Sequence, residues 1–136
     1  MLYYPAAVGQ VWAQTIIEVM PFLVSTSDFA PADMQYRMHR SALWSEATGL
    51  YGEAFDVDHG VWVSEAPTGP TNAGVAAAMA EALRAGGDNT PAEMRGRWQR
   101  ETRALIAACA LLELDGPSQA LLTEATDLGR EDGWLS

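Results

Sequence analysis

Residues 90–117 read TPAEMRGRWQRETRALIAACALLELDGP and contain the clearest secondary-structure signal in the chain. Thr90, Pro91 and Glu93 match a capping box with proline at the first helical position. At 100° per residue the large apolar side chains share one narrow arc: Met94, Trp98, Leu105, Cys109 and Leu112. We therefore predict a helix that begins at the capping box and ends near Leu114, before the closing Asp-Gly-Pro turn.

Four further stretches have helical periodicity or helix start and stop signals. They predict helices over residues 5–24, 31–54, 72–85 and 118–128. Together with the helix described above they make five, joined by short connections, and no shift in composition divides the chain. The expected fold is an all-α bundle, a single domain spanning residues 1–136.

The first predicted helix is apolar around nearly its whole circumference, because only Gln10, Gln14 and Glu18 form a polar stripe on it. A surface helix needs one apolar stripe, so the excess apolar surface indicates the centre of a bundle or an oligomer interface. We expect a homodimer or higher oligomer with this helix at the interface. The polar stripe also disfavours a lipid-facing helix, so no membrane span is expected.

Residues 55–70 alternate apolar and polar side chains with the period of two that is typical of a strand. No second strand is predicted to pair with them, so we expect an extended loop packed on the bundle. Asp56 and Asp58 would project to the same side of it, a weak pattern for a hard cation. With one cysteine and two histidines in the chain, a multi-cysteine or three-histidine metal site is impossible, and we expect neither a metal nor a cofactor.

Composition excludes several classes of function. Eighteen acidic residues stand against eight basic ones, all arginine, for a formal net charge of −10. Without lysine there is no Schiff-base or phosphate-loop lysine, and an acidic chain of this kind is not expected to bind nucleic acid. Half of the arginines form one local cluster that suits an acidic partner, an anionic ligand or ion pairs with neighbouring acids. Its members are Arg95, Arg97, Arg100 and Arg103.

The amino-terminal residues have no basic residue before their apolar run, so they do not match a secretory signal. We therefore expect a cytoplasmic protein. The abundance of alanine, glycine and arginine, together with the absence of lysine, suggests a bacterial source.

Aromatic residues outside the predicted core favour a binding function. Tyr36 and Trp44 lie on the second predicted helix, and Trp62 lies in the extended loop. Aromatic side chains outside a core are typical of interfaces and ligand pockets. The first hypothesis is therefore a small helical binding or accessory protein that acts through a partner protein or a small apolar ligand.

His39 provides the alternative hypothesis. It shares a helical stripe with Leu43 and Leu50, and Glu46 lies seven residues further on. A partly buried histidine beside a carboxylate suits proton transfer near neutral pH. The alternative is a small cofactor-free enzyme of bacterial specialised metabolism, with His39, Glu46 and His59 as its catalytic groups. Convergence of these side chains in one enclosed pocket would favour the enzyme, and their separation would favour the binding protein.

Overall fold

The computed structural model describes residues 9–136, and most of these residues are helical. The helices are α1 (Gln14–Ser25), α2 (Phe29–Leu43), α3 (Gly69–Gly86), α4 (Ala92–Cys109) and α5 (Gly116–Glu131). A short 3₁₀ turn, Gly87–Asn89, connects α3 to α4. The prediction of five helices is confirmed, although the bounds differ. In the part of the chain that the structure describes, no helix combines the length and apolar character needed to cross a membrane.

The fold is not purely all-α, because short strands accompany the helices. The strands are β1 (Gln10–Trp12), β2 (Trp44–Ser45), β3 (Leu50–Tyr51), β4 (Ala54–Asp56) and β5 (Val61–Ser64). One antiparallel sheet has the order β1-β4-β5, and β2 and β3 form a separate hairpin. In the sequence, four of these five strands fall between α2 and α3.

The expectation of an extended loop without a strand partner is wrong. Its first half is the β4–β5 hairpin, and β4 also pairs with β1, so that Val11 lies opposite Phe55. A strand of three residues is too short to show a period of two. The residues of β1 therefore lie within the span of the first predicted helix. That helix instead begins at Gln14, and residues 5–8 of its predicted span lie outside the described residues.

The second predicted helix was too long, since α2 ends at Leu43 and the β2–β3 hairpin follows. Gly49 adopts a φ of +72° in the turn of this hairpin, a conformation that side chains with a Cβ rarely adopt. At Gly52 a Cβ would lie 2.5 Å from the ring of Trp62. Both glycines therefore mark the hairpin, which the apolar repeat of residues 43–54 concealed.

The centre of the molecule is α3, which packs against α1, α4 and α5. Every residue from Asn72 to Ala80 is buried. Small side chains allow this close packing, since a Cβ on Gly74 would lie 2.7 Å from the Cδ1 atom of Ile17 in α1. Thus α1 packs its apolar side chains against α3 and α2, although Phe22 remains 64% exposed.

The predicted cap at Thr90 is wrong, and Asn72, near the start of α3, is not a cap either; both residues are buried. Asn72 does not cap α3, because the Thr68 hydroxyl accepts the hydrogen bond from the Thr71 N–H instead. The Asn72 side chain bonds the backbone N–H and carbonyl of Tyr51 in β3, at 2.7 and 3.0 Å. Thr90 does not cap α4, since its hydroxyl lies buried against Gly86 without a hydrogen-bond partner.

Candidate functional site

A buried polar contact connects α2 to α4. Asp33 accepts hydrogen bonds from both terminal guanidinium nitrogens of Arg97, at 2.9 and 2.7 Å, and from the indole N–H of Trp98 at 2.9 Å. Burial raises the pKa of the Asp33 carboxyl, but the hydrogen bonds from Arg97 and Trp98 outweigh it and hold that pKa below its usual range. Arg37 lies 3.8 Å from the same carboxylate, and its side chain is 66% exposed.

A second contact between these helices holds Trp44 in place. Arg40 lies 3.1 Å from the Glu101 carboxylate and donates a hydrogen bond of 2.9 Å to the Tyr51 hydroxyl. Its guanidinium carbon is 3.8 Å from the centroid of the Trp44 ring, a cation–π distance. Tyr51 also packs edge-on against Trp44, with 5.1 Å between ring centroids. The Trp44 indole is therefore supported by groups from α2, α4 and β3.

Trp44 lies between two cavities. We call the first the arginine groove; it has a volume of about 380 Å³ and is lined by Arg37, Arg40, Ser41, Trp44, Glu46, Arg97 and Glu101. The second, the tryptophan cleft, has a volume of about 270 Å³. Its lining includes Trp44, Ser45, Thr48, Leu50, Trp62 and Glu65. The two cavities share Trp44, so one ligand in contact with this indole has access to both apolar and charged surfaces.

The structure brings two of the predicted binding aromatics together and leaves the third apart. Trp44 and Trp62 both line the tryptophan cleft, and Trp62 is oriented by an edge-on contact with Phe55 at 5.2 Å between centroids. Tyr36 is buried in the core, where its ring meets Trp98 edge-on and burial raises the pKa of its hydroxyl well above the ordinary value.

The predicted catalytic groups do not share a cavity. His39 is 1% exposed, and its Nδ1–H donates to the Gln35 carbonyl at 2.7 Å, while Nε2 has no hydrogen-bond partner. Burial lowers the pKa of His39, so the neutral form is favoured. Glu46 lies in the arginine groove, and His59 is exposed at the turn of the β4–β5 hairpin.

The weak metal candidate Asp56 has its carboxylate occupied by its own turn. It accepts hydrogen bonds from the backbone N–H groups of Asp58 and His59 and lies 2.9 Å from the Nδ1 atom of His59. Among residues 9–136, no three histidine, cysteine, aspartate or glutamate side chains are grouped so that they could hold a metal ion. The Asp56 carboxylate therefore stabilises its own turn by accepting hydrogen bonds from the backbone N–H groups within it.

The predicted arginine cluster is dispersed by tertiary contacts. Arg97 bonds Asp33, Arg95 bonds Asp88, and Arg103 donates to the carbonyl of Trp134. Arg100 is exposed and makes no ion pair or hydrogen bond with the residues that the structure describes. Arg95, Arg97 and Arg103 thus bond different parts of the molecule, and the four side chains do not act as one cluster.

Sequence reasoning missed Arg37, Arg40 and Glu101. A signal for the first two exists, because Arg37, Arg40 and Trp44 recur at spacings of three and four along the second predicted helix. No comparable signal exists for Glu101, whose partner Arg40 is far away in the sequence.

Comparison with known proteins supports the fold and does not establish a family. No protein-family model matches the sequence, and no curated protein matches it either. The structure is similar to that of a solved glycoside hydrolase of family 105 from C. acetobutylicum ATCC 824, with a TM-score of 0.82 and 14% sequence identity. The likeness covers 97% of this chain and 46% of the hydrolase chain. This chain therefore has the fold of about half of that larger protein.

Proposed function

We propose that this chain is a binding module for a small ligand with an apolar face, which it holds between Trp44 and Trp62. The convergence of these two side chains in the tryptophan cleft carries the proposal. Both indoles are oriented by their neighbours, Trp44 by Arg40 and Tyr51 and Trp62 by Phe55. A rigid aromatic pair loses little conformational entropy when a ligand binds, which favours affinity.

The polar groups of the cleft narrow the ligand class. Ser45 and Thr48 contribute hydroxyl groups and Glu65 contributes a carboxylate, so a ligand with hydroxyl groups around an apolar ring face fits the lining. Saccharides have this character, and the structurally similar protein is a glycoside hydrolase. That likeness covers less than half of the hydrolase, at 14% sequence identity. We therefore use it only to choose a class of ligand to test, and we infer no hydrolase activity from it.

The enzyme alternative has less support. His39 is buried and lines neither cavity beside Trp44, so a substrate in either one would not reach its ring. Glu101, a carboxylate in the arginine groove, is paired with Arg40. Glu46 therefore has no histidine beside it in the arginine groove, and the other carboxylate near Trp44, that of Glu65, lines the tryptophan cleft.

Calorimetric titration with a panel of neutral mono- and oligosaccharides tests the proposal. We expect at least one saccharide to bind, and Trp62→Ala to weaken that binding by about tenfold or more, since aromatic contacts are worth on the order of 1–2 kcal/mol. Phe22→Ala is the matched control, because Phe22 is an exposed aromatic residue on α1 outside the cleft. Equal affinity in the two variants, or no binding by any saccharide, would reject the proposal.

Homodimerisation stays a prediction. The prediction was based on the excess apolar surface of the first predicted helix, and the packing of α1 against α3 and α2 covers part of that surface. Phe22 is the aromatic residue of α1 that remains exposed. Sedimentation velocity at micromolar concentration should give a species of about twice 14.7 kDa. A single monomeric species would contradict the prediction.

A further inference from the structure

The largest of the cavities described lies apart from Trp44. It has a volume of about 470 Å³ and is bordered by the end of α3, the first turns of α4 and the residues that follow α5. We call it the C-terminal cavity; its lining includes Arg84, Asp88, Arg95, Gln99, Asp132 and Trp134. It shares no lining residue with the arginine groove or the tryptophan cleft, so its role is independent of the proposed function.

Three side chains in its lining have hydrogen-bond donors without an acceptor among the residues that the structure describes. Arg95 uses only Nη1, which bonds the Gly87 carbonyl at 3.2 Å and the Asp88 carboxylate at 3.1 Å, so Nε and Nη2 remain available. The Gln99 amide makes no hydrogen bond with the described residues. The Trp134 side chain is 6% exposed, and its buried indole N–H has no acceptor. A buried donor without a partner is rare in folded proteins, so the indole N–H of Trp134 indicates a missing acceptor, whereas Arg95 and Gln99 are partly exposed.

Charged side chains of both signs surround this cavity, because its lining contains two arginines and two aspartates. Arg84 and Arg95 line it, and Arg103 and Arg130 donate to carbonyl oxygens of the residues that follow α5. Half of the eight arginines of the chain are therefore placed here, in a protein with a net charge of −10. The carboxylates of Glu131 and Asp132 are held by Arg84.

Asp88 is the carboxylate that competes for Arg95. Its side chain is fully exposed, so the ion pair between these residues is screened by water and easily replaced. A ligand oxyanion that displaced Asp88 would keep the Arg95 charge neutralised and could also accept from Gln99 and Trp134. Arginine binds the two oxygens of a carboxylate or phosphate through parallel N–H groups, which suits this displacement.

We propose that the C-terminal cavity binds the carboxylate or phosphate group of a small anionic ligand, with Arg95, Gln99 and Trp134 as its hydrogen-bond donors. The cavity volume accommodates a ligand larger than the anionic group itself. Arg84 is already paired with Glu131 and Asp132, so it is not counted among the donors to the ligand.

Proton–nitrogen NMR of the tryptophan indole groups tests the proposal on the whole chain. The Trp134 resonance is identified by its absence in Trp134→Phe, and inorganic phosphate and succinate serve as probes against sodium chloride at equal ionic strength. We expect a saturable shift of this resonance with phosphate, succinate or both. A response to one probe alone supports the proposal and identifies the anionic group.

Three variants on exposed or partly exposed positions sharpen the test. Arg95→Gln should weaken binding by about tenfold or more, as expected for loss of a charge-assisted hydrogen bond. Arg100→Gln, which changes an exposed arginine on the same helix, should leave the affinity unchanged. Asp88→Asn should tighten binding, because it removes the competing carboxylate. A Trp134 resonance that responds to the anions no more than to chloride, or equal affinities in Arg95→Gln and Arg100→Gln, would overturn the proposal.

Discussion

Two aspartates with lowered pKa values differ in what their hydrogen bonds hold together. Asp33 is buried and accepts from Arg97 and Trp98, which lie 64 and 65 residues away in the sequence. The pKa of Asp56 is lowered first by its hydrogen bond with His59, three residues away on an exposed turn. The first contact ties α2 to α4, whereas the second shapes a single turn. An aspartate carboxylate therefore has different structural value according to its burial and to how far away in the sequence its donors lie.

The largest effect is expected from Asp33→Asn. This change removes the charge between α2 and α4 and leaves the partly buried Arg97 guanidinium without its counter-ion. We expect the free energy of unfolding to fall by about 2–3 kcal/mol, as for other broken buried ion pairs. Urea denaturation followed by circular dichroism measures the loss. An unchanged midpoint would mean that the ion pair of Asp33 with Arg97 contributes nothing measurable to stability.

A smaller effect, visible only as a function of pH, is expected from His39→Gln. Burial lowers the pKa of His39 in the folded state, so below a pH of about 6.5 the unfolded chain binds a proton that the folded chain does not. Stability should therefore fall as the pH decreases from 7 towards 5. The variant lacks this proton, so its melting temperature should decline less over the same range. Parallel pH profiles for the two proteins would show that His39 is protonated equally in both states.

The smallest effect is expected from Asp56→Asn. The turn is exposed, its donors are neighbours in sequence, and water replaces any hydrogen bond that is lost. We expect no measurable shift of the urea midpoint and no change in saccharide binding. A loss of stability comparable with that of Asp33→Asn would refute the distinction between the two aspartates.

Local signals in the sequence predicted much of the helical structure. The glycines at 86–87 mark the end of α3, and the Asp-Gly-Pro turn at 115–117 marks the start of α5. The β1–β4 pairing escaped prediction, because hydrogen bonds between strands join residues that have no periodic relation in the sequence. Helix α2 was predicted too long for a related reason, since the apolar residues of the β2–β3 hairpin continued its spacing.

For the site, the residue pattern marked Trp44 and Trp62 as aromatics outside the predicted core, but it could not place them in one cleft. The same limit applied to His39, whose stripe predicted partial burial while its distance from any cavity depended on how α2 packs. Which arginines are paired also depended on that packing, because Arg97 and Arg100 have the same chemistry and differ only in the neighbour they meet.

By itself the sequence determined the features that depend on neighbours along the chain: the helical segments, the acidic balance and the absence of lysine. These follow from backbone periodicity, capping and composition, which act within a few residues. Tertiary structure alone decided which side chains meet across the molecule, including Asp33 with Arg97, Arg40 with Glu101, and Trp44 with Trp62. The physical reason is that such contacts are set by the packing of whole helices and strands, in which burial and close approach outweigh local preference.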